Sequence, residues 1–377
     1  MLVTFNNRGA VVERAELSSP KYLDLEDETG YIGHMALTAS DDGAQINAVG
    51  AGTPAERAEG VAGGAGDGLQ VGDVIVSVNG ERPEESETQT LVQAAEALLH
   101  ANPPGSDVTI EVLRGEDSDK LTYKARLGYP HLQVIQPELE TYTDRFEEIK
   151  NPEMQRLSFL TSLRESGDVN MHRARWEVVQ DPAKPDEVAF RLPLDAADFD
   201  DENAQPLEVI KRYRLAKIDS EAEEDSDEAQ SPAYHLTMSI EVKNLGEKPA
   251  QVVVQQQGPT GLPLEGWWYT RKGSPHWGSA GARDVVWSFE GTGNEIYRLP
   301  VIYDYDEALD EGEELPTEQP VFPFEKDTVL DYVDVDTQYF SVVMVPDLVS
   351  PQTSAGSFRF AEGSRAMTTG TRLKKWK

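Results

Sequence analysis

Apolar and polar side chains alternate along much of this chain, and a period of two marks strands with one buried face. Residues 2–5 and 10–17 alternate around Asn6-Asn7-Arg8-Gly9, whose turn-forming residues predict a hairpin. Val108, Ile110 and Val112 keep the same period, as do residues 175–179, 187–192 and 207–215, and shorter strands are expected at 132–135 and 252–257. Two stretches break the pattern. Residues 86–99 place Leu91, Ala95, Leu98 and Leu99 at helical spacing, with Ser86 and Gln89 at the separation of a capping box. Residues 142–167 predict a second helix, broken near Pro152, with Leu157, Phe159, Leu160 and Leu163 as its apolar residues. The pattern is that of a mainly β chain.

Glycines sharpen the reading between residues 29 and 128. The run G-L-Q-V-G-D-V-I-V-S-V-N-G at 68–80 is a buried strand ending in an Asn-Gly turn. With Gly30-Tyr31-Ile32-Gly33, G-A-Q-I-N-A-V at 43–49, G-T-P-A at 52–55 and P-G-S-D-V-T-I-E-V-L-R-G at 104–115, it resembles a PDZ domain of the kind found in HtrA-type envelope proteases. The resemblance implies a groove walled by the helix and by the strand after Gly33, into which a peptide adds as an extra strand. Backbone N–H groups around Tyr31, Ile32 and Gly33 would take the peptide's terminal carboxylate. The candidate groove residues are Tyr31, Ile32, Gly33, His34, Met35, Leu91 and Ala95. The helical stripe would be equally apolar if it only packed on the sheet. Residues 59–67, E-G-V-A-G-G-A-G-D, insert a glycine-rich loop where the family pattern is short.

The flanking sequence carries its own pattern. Residues 257–284 read Q-G-P-T-G-L-P-L-E-G-W-W-Y-T-R-K-G-S-P-H-W-G-S-A-G-A-R-D and hold three of the six tryptophans. With L-V-T-F-N-N-R-G-A-V-V-E-R-A-E-L at 2–17, Y-H-L-T-M-S-I-E-V-K-N-L-G-E-K-P at 234–249 and D-T-Q-Y-F-S-V-V-M-V-P at 336–346, this stretch resembles the periplasmic domain of the YidC family of bacterial membrane insertases, in its planctomycete-like form. The resemblance implies a β-supersandwich of the galactose-mutarotase kind, built from residues 1–28 and 129–377 and interrupted by the PDZ domain. It places the chain at the bacterial inner membrane, facing the periplasm, with membrane-spanning parts outside this sequence. Its implied partners are the transmembrane insertase domain, the Sec translocon, nascent membrane-protein clients and, through the PDZ domain, peptide C-termini. Trp267, Trp268, Tyr269, His276 and Trp277 are then either a sandwich edge or an interaction loop.

Charge and chemistry narrow the alternatives. Lys and Arg number 34 against 68 Asp and Glu, a net charge of −34 over 377 residues, which disfavours nucleic acid and anionic headgroups as partners. No cysteine is present, so disulfide and thiolate chemistry are excluded. No run reaches the roughly 20 apolar residues that cross a bilayer, and the amino end shows no signal-peptide pattern. The like-charge run at 219–228 predicts a disordered acidic loop over 219–231. That run and Asp304, Asp306 and Asp310 lack the ligand spacing of a calcium loop, and the six histidines form no local metal motif. No nucleophile elbow, phosphate loop or H-E-x-x-H occurs, so neither catalytic residues, a metal nor a cofactor is expected. A carbohydrate-binding or aldose-epimerase-like protein, and a PDZ adaptor of an envelope protease, are the competing readings.

Overall fold

A computed structural model describes residues 1–25, 27–61, 68–86, 89–115, 119–137, 157–163, 170–181, 183–184, 186–199, 203–216, 235–263, 284–289, 294–297, 330–337 and 340–346. The chain is mainly β, and its described residues fall into two compact units: 1–133 with 160–256, and a second comprising 134–137, 157–159 and the residues from 257 on.

In the first unit the amino-terminal hairpin pairs β1, Leu2–Asn6, with β2, Val11–Leu17. A register shift lies between Thr4 and Phe5. The sheet order is β1-β2-β9, where β9, Leu132–Ile135, starts in the last two residues of this unit's first segment. A four-stranded antiparallel sheet follows in plain chain order: β11, Glu177–Val179; β12, Glu187–Leu194; β13, Leu207–Leu215; and β14, Leu236–Asn244. Period two holds on its central strands, where Phe190, Leu192 and Leu194 are buried opposite Lys211, Val209 and Leu207. The segment resembling a core strand, by contrast, is β14 at the end of that sheet, and none of its residues is fully buried.

The hairpin packs on this second sheet although more than 150 residues separate them in sequence. The Phe5 ring lies 4.9 Å from Tyr213 and 6.2 Å from Phe190. The Tyr213 hydroxyl donates to the Ala10 carbonyl at 2.9 Å, the Trp176 backbone N–H donates to the Asn7 carbonyl at 2.9 Å, and the Trp176 indole Nε1–H donates to the Met171 carbonyl at 3.2 Å. The Trp176, Phe190 and Tyr213 rings are all buried here, and the polar tips of Trp176 and Tyr213 are satisfied by backbone carbonyls.

Residues 157–163 correct the expected second helix. Thr161–Leu163 is a strand, β10, antiparallel to β15, Val254–Gln256. The preceding Phe159 has φ of +68°, which a right-handed helix does not allow, and buried Thr161 donates its hydroxyl to the Gln256 side chain. The rest of that expected helix, the acidic loop at 219–231 and the acidic run around Asp304 lie outside the described residues.

Residues 31–128 form the six-stranded sheet: β3, Thr38–Ser40; β4, Gly43–Gln45; β5, Glu59–Gly60; β6, Val74–Val78; β7, Asp107–Arg114; and β8, Asp119–Arg126. Its order is β3-β4-β6-β7-β8-β5. The Asn79-Gly80 turn forms as the sequence predicts, with φ of +52° and +84° and mutual backbone bonds between Val78 and Glu81. Val108, Ile110 and Val112 are all completely buried, each worth roughly 1.5–3 kcal/mol. One helix, α1, Leu91–His100, packs on β3, β4 and β6.

The second unit holds an antiparallel sheet of order β17-β16-β18-β19, formed by β16, Asp284–Phe289, β17, Asn294–Tyr297, β18, Leu330–Asp336, and β19, Ser341–Met344.

Lys211 is the unexpected member of the first unit's core. It is 0 % exposed, 5.3 Å from the Tyr213 ring, and burial pulls its ammonium down to about 7. The folded chain disfavours the charged form, so the cost is complete below that value and vanishes as pH rises towards the unfolded pKa of about 10.4. Lys211→Met is expected to raise stability at pH 7 in denaturant titrations, with an advantage over the native chain that shrinks between pH 7 and 10.

Candidate peptide-binding site

The ends of the six-stranded unit meet at Tyr31 and Gly128. Each donates its N–H to the other's carbonyl, at 3.0 and 2.8 Å. This engages the Tyr31 amide and moves the expected donor run by one residue. Among the described residues, the N–H groups of Ile32, Gly33 and His34 make no hydrogen bond, and neither does the His34 carbonyl. Gly33 has φ of +113°, and a Cβ there would lie 2.8 Å from Cβ of Thr53, so both conformation and space require glycine. Three consecutive free donors beside a glycine of this kind suit an anion with several acceptor oxygens.

The continuous strand expected after Gly33 is interrupted. Met35 is buried, and its carbonyl accepts from both Asn47 and Ala48 N–H at 3.0 Å. Ala36 adopts φ of +46°, and regular pairing begins only at Thr38. Opposite this edge, α1 starts four residues later than Ser86 suggested. Thr90 is its cap: its hydroxyl accepts the Gln93 N–H at 3.2 Å, and the Gln93 side chain accepts the Thr90 N–H at 2.9 Å. The second of two adjacent Ser/Thr-x-x-Gln patterns wins because it directly abuts the apolar stripe. Ala95 is completely buried in the core with Ile32 and Leu99, whereas Leu91 is half-buried on the first turn. Of the expected groove residues, Ile32, Met35 and Ala95 serve the core; Gly33, His34 and Leu91 remain accessible.

The amino-terminal hairpin holds this loop from outside. His34 Nε2 lies 3.4 Å from Glu13 Oε1 on β2, and the other Glu13 oxygen accepts from Asn6 Nδ2 at 2.7 Å. Burial pushes the Glu13 carboxyl up, but the bond and charge of His34, the Asn6 bond and the Arg14 charge outweigh it and hold the group below the usual carboxylate range. Three residues along β2, Glu16 is 2 % exposed, and its charge adds to burial in raising the Tyr31 phenol. The Tyr31 ring lies 4.5 Å from that of His131. The hairpin therefore acts on the residue on each side of the Ile32-Gly33 pair, through the Glu13 side chain at His34 and the Glu16 charge at Tyr31.

Residues 45–114 match the PDZ domain family. That stretch covers β6, α1 and β7, while the donor loop lies upstream of it. No curated protein matches the chain. The PDZ domain accounts for the Asn-Gly turn, the helix and the buried β7 core, and PDZ domains bind peptide C-termini. Asn47 and Glu13 lie inside the family-like segments 43–49 and 2–17, but neither is among the site residues expected from sequence; only the fold brings them to the loop. The aromatic segment with Trp267, Trp268, Tyr269, His276 and Trp277 lies outside the described residues. Among the described residues no cluster of three His, Asp or Glu side chains could hold a metal, and no helix is long and apolar enough to cross a membrane.

The Glu13 carboxylate is favoured by folding, so its contribution is complete above the unfolded pKa of about 4.3 and is lost as pH falls through the lower folded value. Glu13→Gln is expected to lower stability at pH 6, and the deficit in urea titrations should close below about pH 4.

Proposed function

We propose that this chain recognises free carboxyl ends of polypeptides through its PDZ domain and carries that domain on a non-catalytic β-rich body. The run of unpaired N–H groups at Ile32, Gly33 and His34 supports this reading most directly, because a terminal carboxylate is the acceptor such donors lack. Peptides ending in a free acid are expected to bind in fluorescence anisotropy, and the same peptides as carboxamides are not. Leu91→Asp should weaken binding at least about tenfold, since it puts a charge on the rim without disturbing the core. Unchanged affinity in that variant, with melting unaltered, would remove the helix from the site. Ile32 is unsuitable for this purpose because it is 1 % exposed and its replacement would damage folding.

On the larger scale, the body is proposed to be the periplasmic β-supersandwich of a YidC-type insertase at the bacterial inner membrane, interrupted at residues 29–128 by the PDZ domain. Four segments resembling that family, in the family's order, support it. In this role the chain scaffolds, while the PDZ domain captures the end of a client or quality-control partner. Pull-downs from inner membranes, with and without residues 29–128, test the assignment. Translocon subunits should be recovered with both proteins, and chain-end clients only when the PDZ domain is present. Recovery of an envelope protease in place of the translocon would favour an adaptor instead.

A further inference from the structure

Accepting that the site takes a chain end, the geometry beside it limits how much of that chain is read. A peptide added to a sheet edge bonds to every second residue of that edge, because carbonyls along a strand alternate in direction. Met35 fixes the phase: its carbonyl points into the domain, towards Asn47 and Ala48 N–H at 3.0 Å. His34 and Ala36 are therefore the positions that would face an added strand. His34 fits that role, since its N–H and carbonyl are both unengaged among the described residues. Ala36 does not. Its φ of +46° takes it out of the extended region, and its carbonyl accepts from Asn47 Nδ2 at 2.8 Å. The same Asn47 amide donates to Thr38 Oγ1 at 2.9 Å and reaches the Gln45 carbonyl at 3.3 Å, bracing the bend from both sides. A left-handed conformation is unfavourable for alanine, so the bend needs a restraint, and the Asn47 side chain supplies one.

We propose that Asn47 is a specificity-determining residue that ends the ligand ladder after its first step, so that the site reads the carboxylate and last residue of a chain end rather than an extended C-terminal strand. The carboxylate meets the Ile32, Gly33 and His34 amides, the terminal residue's N–H meets the His34 carbonyl, and the residue two places upstream finds no free carbonyl at Ala36. Main-chain bonds supply much of the affinity when a strand is added to a sheet edge. Recognition cut off at this point gains little from a longer peptide.

The test uses the whole chain, immobilised, and randomised N-acetylated peptide pools of three, five and eight residues, each as free acid and as carboxamide. Free-acid pools should be retained with affinities within about twofold of one another whatever their length. Asn47 is exposed, so Asn47→Ala should fold, and with the Ala36 carbonyl released it should bind the eight-residue pool at least about fivefold more tightly than the three-residue pool. A native chain that gains about tenfold from three to eight residues overturns the proposal. So does an Asn47→Ala variant as insensitive to length as the native chain. Equal retention of acids and carboxamides, or no retention of either, instead brings down the carboxylate reading on which the proposal rests.

Discussion

The reciprocal hydrogen bonds between Tyr31 and Gly128 are the constraint on which the recognition site depends. They bring the two ends of residues 31–128 side by side. They also consume the Tyr31 amide. The free donor run therefore starts at Ile32, where Gly33 can hold a backbone conformation that a residue with a Cβ resists. The same bonds fix the Tyr31 ring against His131, in a region of low exposure that raises the phenol and keeps it neutral.

A second consequence concerns β2. An exposed sheet would leave one face of this strand polar and wet, yet Val11, Val12, Arg14, Ala15 and Glu16 are all buried. One side carries the aromatic contact with Phe190 and Tyr213 around Phe5 and Ala10; the other reaches the donor loop through Glu13 and Glu16. Charged groups in such a position are costly unless partnered. Glu13 has two partners and titrates low, and on the opposing sheet burial pulls the Lys211 ammonium down to about 7. The hairpin thus links the β-rich body to the loop where a ligand would be held.

Much of this was legible along the chain. The hairpin around Asn6-Asn7-Arg8-Gly9, the Asn79-Gly80 turn, the alternation at Val108, Ile110 and Val112, and a helix carrying Leu91 to Leu99 all follow from local rules: turn residues that tolerate positive φ, and a side-chain period that either matches the pleat or does not. The same rules failed at residues 157–163, where four apolar residues near a proline suggested a helix. Pairing with Val254–Gln256, almost a hundred residues away, made a strand instead.

The sequence by itself thus determined a mainly β chain and the presence of a PDZ domain, because periodicity and glycine-dependent turns are written in neighbouring residues. The tertiary structure alone decided which amides stay free, where the helix begins, that Ala36 adopts a positive φ, and that Glu13 and Asn47 lie against the loop around Gly33. Each of these depends on a partner brought close by folding, such as Gly128 for Tyr31, β2 for His34 and the Asn47 amide for Ala36. No local pattern encodes a hydrogen bond between residues whose separation in sequence is closed only by the fold.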